Sequence, residues 1–430
     1  MRWPAALLLL VPALVRAQDT ARVESGVRVG ITYAPGSRPT IAVVTPRSVA
    51  VALDSVRAIV ERDLACSDRF EVVARPPDTA FAGAAGRGQL PLEAQYLVTV
   101  SEEGPGARVV AAATQDGRTA WSGVVTVAGA DAATLRRRAH LASDAVVRAI
   151  TGQAGIASTA LLFVRGGRIW RVDADGYGAR ELPSAGNPAL SPAWSPDGRR
   201  FAYTAYVRGG QPLVIQDLAS AARQVVPGTE EGLNITPAFS PDGRSLAFAH
   251  GTEAGTDIYL YDIGRRCCVV RLTVSRAGDN LSPTWSPDGS RIAFVSSRAG
   301  TPQVYVMASD GTGQDVLARY DFGATGQSSA PAWSPDGQLV AFHRDVGGDP
   351  QVFVVDVGSG ALRQLTGAGR NEDPTWAPDG RHLAFVSSRT GTRELWVIDL
   401  ETGRLRQLTR LGGARLPDWS PQPPAIEGRE

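Results

Sequence analysis

Residues 191–206 read SPAWSPDGRRFAYTAY. The stretch is a short strand ending at Trp194, a Ser195-Pro196-Asp197-Gly198 turn, and a second strand with Phe201 and Tyr203 on one face. Proline pre-sets φ at the second turn position, aspartate accepts from turn amides, and glycine takes the left-handed conformation. An aromatic followed by this turn or a close variant recurs at Phe239, Trp285, Trp333, Trp376 and Trp419, in steps of 45, 46, 48, 43 and 43 residues. Self-similarity at such a period marks a repeat architecture. One period holds four strand-sized segments, Ser191–Trp194, Arg200–Ala205, Leu213–Leu218 and Arg223–Val226, and four short antiparallel strands make a propeller blade.

The count closes. The last copy, Leu416–Pro421, supplies only a first strand, while Leu161–Val164, Arg168–Ala174 and Arg180–Leu182 supply three strands with no motif before them. Paired, they complete a sixth blade and hide the edges of an open ring. The turn chemistry accounts for Asp197, Asp242, Asp288, Asp336 and Asp379 as structural residues, and the aromatics read as apolar anchors between blades.

Residues 18–155 lack the repeat. Thr40–Val44 reads as a strand, Val51–Leu64 as an amphipathic helix, and Phe70–Ala74 as a strand. Tyr96–Val100, Ala107–Thr114 and Thr119–Val127 read as a meander turned at Asp116-Gly117. Asp131 caps a helix running to Thr151 whose buried side carries Leu135, Leu141, Val146, Val147 and Ile150. The fold class is therefore a two-domain chain: an N-terminal α+β domain, then an all-β six-bladed propeller closed by the C-terminal strand. The boundaries are residues 1–17 for a signal peptide, 18–155 for the first domain, 160–421 for the propeller and 422–430 for a tail.

The opening MRWPAALLLLVPALVRAQD places Arg2 before an apolar run and Val15-Arg16-Ala17 at a cleavage site. This predicts export, with cleavage after Ala17. Net charge is +1, from 44 basic residues, all arginine, and 43 acidic ones, so the basic excess of a nucleic-acid binder is missing. Three cysteines are too few for a disulfide scaffold; adjacent Cys267 and Cys268 are expected on opposite faces of a strand as packing residues. The familiar nucleophile-elbow, zinc-helix, phosphate-loop and dinucleotide motifs are missing, no cofactor is implied, and His140, His250, His343 and His382 are scattered.

Loops entering the innermost strands share one rim, opposite the repeated turns. They contain Asn187, Asn234, Asn280, Ser328, Glu372 and Arg415 and differ from one another, unlike the turns. Rigid scaffolds concentrate binding on such loops.

Three segments resemble the TolB family, the periplasmic component of the Tol-Pal system of Gram-negative bacteria. They are His140-Leu141-Ala142-Ser143-Asp144 leading into Leu161–Val164, the blade quoted above followed by Leu213-Val214-Ile215-Gln216, and Ile59–Val73 with Asp63-Leu64 and Arg69-Phe70. The resemblance implies a monomeric, non-enzymatic periplasmic adaptor. It would bind the peptidoglycan-associated lipoprotein Pal at the channel mouth, and through it meet the outer membrane peripherally. The Pal-facing rim would use Asn187, Asn234, Asn280, Ser328, Glu372 and Arg415. An N-terminal tail within residues 18–33, with Val27, Arg28 and Val29, would engage the inner-membrane protein TolA. The alternatives are a periplasmic propeller enzyme of hydrolase or lactonase type with a channel metal, and a ligand sensor with a pocket between the domains.

Overall fold

The computed structural model describes residues 38–45, 51–73, 94–274, 278–318 and 326–423. The signal peptide and the tail residues Val27, Arg28 and Val29 lie outside them. The first domain is a five-stranded sheet and two helices. Its elements are β1 (Thr40–Val44), α1 (Val51–Cys66), β2 (Glu71–Val72), β3 (Tyr96–Glu103), β4 (Gly106–Ala113), β5 (Thr119–Thr126) and α2 (Ala132–Thr151). The sheet order is β2-β1-β3-β4-β5, with β1 parallel to both neighbours and β3-β4-β5 an antiparallel meander. Alternation in β3 and β4 sends Val98, Val100, Ala107, Val109 and Ala111 to the core, where the α1 stripe of Leu53, Val56, Ile59, Val60 and Leu64 covers them. Of the strand expected over Phe70–Ala74, Glu71–Val72 forms a strand, and Ala74 lies outside the described residues.

The Asp131 side chain accepts from the Thr134 amide at 2.7 Å and so caps α2, as its sequence predicts. The buried side of α2 differs from the expectation. Val146 and Val147 are buried, but His140, Ser143 and Asp144 are buried with them, while Leu135, Leu141 and Ile150 are only half-covered. Hydrogen bonding explains the polar residues: His140 Nδ1 lies 2.8 Å from Asp63 Oδ2, to which Ser143 Oγ also donates at 2.7 Å. Asp144 accepts from the amides of Ala157 and Ser158 at 2.8 and 2.9 Å, clasping the chain that leaves the helix. A Cβ on Gly155 would lie 2.2 Å from Asp144 Oδ1, so this close approach requires glycine.

Six four-stranded sheets follow. The closing one has the order Arg415–Trp419, then β6 (Ala160–Arg165), β7 (Arg168–Asp173) and β8 (Arg180–Glu181), which is the closure the repeat count predicts. The turn residues behave as their chemistry requires. Gly198, Gly243, Gly289, Gly337 and Gly380 have φ between 66° and 74°, and Ser195, Ser240, Ser286 and Ser334 donate to the turn aspartates. The aromatics join neighbouring blades: Trp285 Nε1 donates to the Ala238 carbonyl, Trp376 Nε1 to that of Ala332, and Trp194 Nε1 to that of Asp418.

A further regularity shapes the inner wall. Ser191, Thr236, Ser282, Ala330, Asp373 and Leu416 have φ between 50° and 53°, three residues before each aromatic, and each is followed by proline. A left-handed non-glycine residue is uncommon. Here it coincides with a break in register between each innermost strand and its partner, as in a β-bulge.

The cysteine expectation is overturned: Cys267 and Cys268 form a disulfide. Cys268 has φ 68°, which removes the strand alternation that would have sent the two side chains apart. The bond lies on the outermost strand of its blade, Cys267–Arg271, at a register break opposite Tyr261.

The first domain packs against turns of the last two blades. In one turn the serine is replaced by Ala377, and Asp379 turns to His382, whose Nδ1 lies 2.7 Å from Asp379 Oδ2. His382 Nε2 lies 3.3 Å from Asp68 Oδ2 of the first domain. Arg381 donates to the Asp68 carbonyl at 2.8 Å and to both oxygens of Asp399 at 2.7 Å, and Arg404 reaches Asp68 Oδ1 at 2.6 Å. Burial by itself lowers the His382 pKa, but the hydrogen bonds to Asp379 and Asp68 outweigh it and raise the value above 6.5. The ion-paired form therefore supports the seam fully below pH 6.5, and this support fades as pH rises through the higher folded value.

Candidate binding face of the propeller

Strand direction sets the two faces. Each innermost strand runs from a variable loop to the Ser-Pro-Asp-Gly turn, so the turns lie on one rim with the Asp173–Gly178 and Asp399–Arg404 turns. Asp68, Arg62 and Arg136 of the first domain meet this rim. The variable-loop rim is the opposite one.

On that rim the six sequence candidates divide by burial. Asn234, Asn280 and Ser328 have no exposed surface. Asn234 Nδ2 donates to the carbonyls of Thr229, Glu231 and Gln211 at 2.9, 3.0 and 3.2 Å, and its Oδ1 lies 2.7 Å from His250 Nδ1. Asn280 donates to Asp257 and accepts from Arg298, each at 2.9 Å. Ser328 accepts from Arg344 Nε at 3.2 Å. These residues support the rim from beneath and offer no surface to a partner. Asn187 and Arg415 are exposed, and Glu372 is half-buried with ion pairs to Arg370 at 3.2 Å and Arg393 at 3.4 Å.

An arginine device repeats under this face. Arg298 lies over Phe294 and Tyr305, Arg344 over Phe342 and Phe353, and Arg389 over Phe385 and Trp396. Each donates to the residue that opens its blade's innermost strand: Asn280, Ser328 or Asn371. A guanidinium stacks on an aromatic face while keeping donors free, which a lysine ammonium does less well. The strand starts at Asn280, Ser328 and Asn371 are thus held in place beneath the rim. Asn234→Ala is expected to cost about 1–3 kcal/mol by leaving buried carbonyls unpaired. Urea unfolding checks the loss, and faster proteolysis within residues 228–235 would locate it.

Inside the ring is a cavity of about 560 Å³. Its wall holds the six left-handed residues, the prolines after them, the aromatics, and five turn prolines, Pro196, Pro241, Pro335, Pro378 and Pro421. None of the six candidate rim residues lines it among the described residues, whereas His343, Asp373 and Asp418 do. The proline two places before every aromatic was the signal in the sequence for this wall. His343 Nδ1 accepts from the Asp373 amide at 3.1 Å, and Asp373 Oδ2 accepts from the Leu416 amide at 3.2 Å. Asp418 Oδ2 accepts from the Trp194 amide at 2.6 Å, and burial pushes its carboxyl up to about 7. Asp373 and Asp418 are the acidic residues in the described lining; a calcium-type site takes six or more oxygens.

A second group of potential ligands lies at the seam. Asp63, His140 and Asp175 place one ligand atom each within 4.8 Å of the others. Arg136 already stands among them, with Nη2 2.7 Å from Asp175 Oδ2 and 3.2 Å from His140 Nε2, and its guanidinium supplies the positive charge there.

Comparison with known proteins agrees with this geometry. The family model described as the TolB β-propeller domain matches residues 147–323 and 322–426. The Tol-Pal system protein TolB of Xanthomonas oryzae pv. oryzae (strain PXO99A) is 31% identical over 246 residues, 53% of this chain and 54% of that protein. The protein of that name from Thioalkalivibrio sulfidiphilus is 37% identical over 113 residues, 24% of this chain and 26% of that one. The match thus spans about half the length of these curated relatives or less. The crystal structure of TolB from Acinetobacter baumannii superimposes with a TM-score of 0.76 at 25% identity, covering 90% of this chain and 98% of that one.

Proposed function

Because the chain belongs to the TolB β-propeller family, we propose that it is a periplasmic, non-enzymatic adaptor of a Tol-Pal system. In this reading the variable-loop rim at the channel mouth docks a Pal-like peptidoglycan-associated lipoprotein, and the N-terminal tail, with Val27, Arg28 and Val29, engages a TolA-like protein. The docking would tie the chain peripherally to the outer membrane and support its constriction at division. One observation carries the proposal: the first domain meets the propeller at the turn rim of the last two blades, on the side away from the candidate loop residues. Rim supports already held by hydrogen bonds, such as Asn234, Asn280 and Ser328, lose little freedom on binding. Asn187, Glu372 and Arg415 then serve as surface contacts, and Asn234, Asn280 and Ser328 as supports.

The mature chain is expected to bind the soluble domain of a Pal-like lipoprotein in calorimetry. Paired charge reversal, Glu372→Arg with Arg415→Glu, should weaken binding by about tenfold or more. Deleting residues 18–33 should leave this binding intact and abolish capture by a TolA-like domain. Failure of the full mature chain to bind any such lipoprotein would sink the adaptor reading.

A further inference from the structure

A second cavity, of about 180 Å³, opens between α2 and the closing blade. Four arginines line it, two from each domain: Arg136 and Arg137 on α2, Arg171 on β7 and Arg180 on β8. His140 and Asp173 stand beside them. Asp173 is the one carboxylate in the described wall, 3.4 Å from Arg171 Nη2 and 3.8 Å from Arg136 Nε. Asp175, nearby, is engaged by Arg136 Nη2 at 2.7 Å and by Arg62 at 3.6 Å. The side chains of Arg137 and Arg180 make no hydrogen bond or ion pair among the described residues.

So many like charges converging on one space repel one another, and a single carboxylate offsets only part of that repulsion. Burial lowers the Arg171 pKa, Asp173 opposes the lowering, and the charges of Arg180 and Arg137 add to it. Arg136 Nε is buried without a hydrogen-bond partner, an orphan donor in a wall that already has an excess of donors. Ala133, in the first turn of α2, also lines the space, where the amide dipoles favour negative charge.

We propose that this cavity binds a small tetrahedral oxyanion of the phosphate class, held between the two domains. Guanidinium forks match such oxygens in paired hydrogen bonds. The space equals about six waters at roughly 30 Å³ each, enough for one small anion with some of its hydration. Since each domain contributes two arginines, the anion bridges the seam and stabilises the docked arrangement of the domains. The assignment is independent of the loop rim and of any partner there.

The test is calorimetric titration of inorganic phosphate into the full mature chain, at fixed ionic strength against chloride. The expected result is one saturable site. Arg180→Gln should weaken it by roughly tenfold, and Arg137→Gln with Arg180→Gln by roughly a hundredfold. Both changes are on exposed side chains. In phosphate-free buffer the double variant should melt no lower than the parent, because it loses like-charge repulsion. Two results would overturn the proposal: no saturable phosphate binding by the parent, or undiminished binding by a double variant with the parent's circular dichroism. Sedimentation with phosphatidylglycerol vesicles forms the second arm. Arginine-dependent vesicle binding without binding of free phosphate would likewise overturn the small-anion assignment.

Discussion

Trp419→Ala is expected to cost about 3–5 kcal/mol, the range for deleting a buried tryptophan. Trp419 is 5% exposed and packs in the cluster shared by Leu161, Phe163, Ala377, Ala384 and Val397, so one side chain spans the last blade and the closing blade. Its Nε1 donates to Thr159 Oγ1 at 2.8 Å, and its backbone amide to Thr375 Oγ1 at 3.1 Å. The substitution leaves a cavity at the join between the two ends of the propeller chain, where Trp419 pairs with Leu161. The strand Arg415–Trp419 is short and follows from no other part of its own sheet, so weakening it exposes β6 as an edge. Urea unfolding measures the loss, and proteolysis should cut first beside residues 410–414. Trp419→Phe keeps most of the apolar volume and should cost about 1–1.5 kcal/mol, mainly the lost indole hydrogen bond. Equal costs for the two substitutions would show that ring closure does not depend on the ring's bulk.

Asp418→Asn is expected to stabilise the protein at neutral pH by up to about 4 kcal/mol. In the other five innermost strands the matching residues are Ala193, Ala238, Thr284, Ala332 and Thr375, all small. The residue is half-buried against the channel, but its carboxyl group lies deep in the ring, and burial raises its pKa from 3.8 to about 7. Hydrogen bonds from the Trp194 amide and the Thr375 side chain lower the value by less than burial raises it. A carboxyl whose folded pKa is above its unfolded value favours folding when protonated. That contribution is complete below about pH 3.8 and is lost as pH rises to about 7. Asparagine keeps an oxygen for the Trp194 amide and cannot ionise. The stability difference between variant and parent should therefore grow from near zero at pH 4 to its full value above pH 7. Subtracting the two curves removes the parallel contribution of His382. Curves that stay parallel from pH 4 to 8 would refute the raised carboxyl.

Local chemistry explains what was legible from the chain alone. Turn type, helix caps and strand alternation each depend on a few consecutive residues, so the Ser-Pro-Asp-Gly turns, the Asp131 cap and the β3-β4-β5 meander could be read directly. The candidate rim was legible as a set of loops but not as a set of surfaces. An asparagine near the start of a strand looks the same in sequence whether its amide faces water or, like that of Asn234, a set of buried carbonyls. The Cys267–Cys268 bond was hidden because alternation assumes β backbone, and Cys268 has left the β region.

The spacing of six aromatics determined the blade count and the ring closure, because a fixed period of four short strands has to bury its faces against copies of itself. Tertiary structure alone decided where charge is placed. Asp379 departs from its equivalents through the neighbouring Ala377 and through His382, which stands where the other turns have Arg200, Ser245, Arg291 and Leu339, but only the docked fold brings His382 to Asp68, more than 300 positions earlier in the chain. Arg137 and Arg180 face one cavity only because α2 docks on the closing blade. Burial and long-range pairing set the protonation and partners of such groups, and neither is a property of neighbouring residues in the sequence.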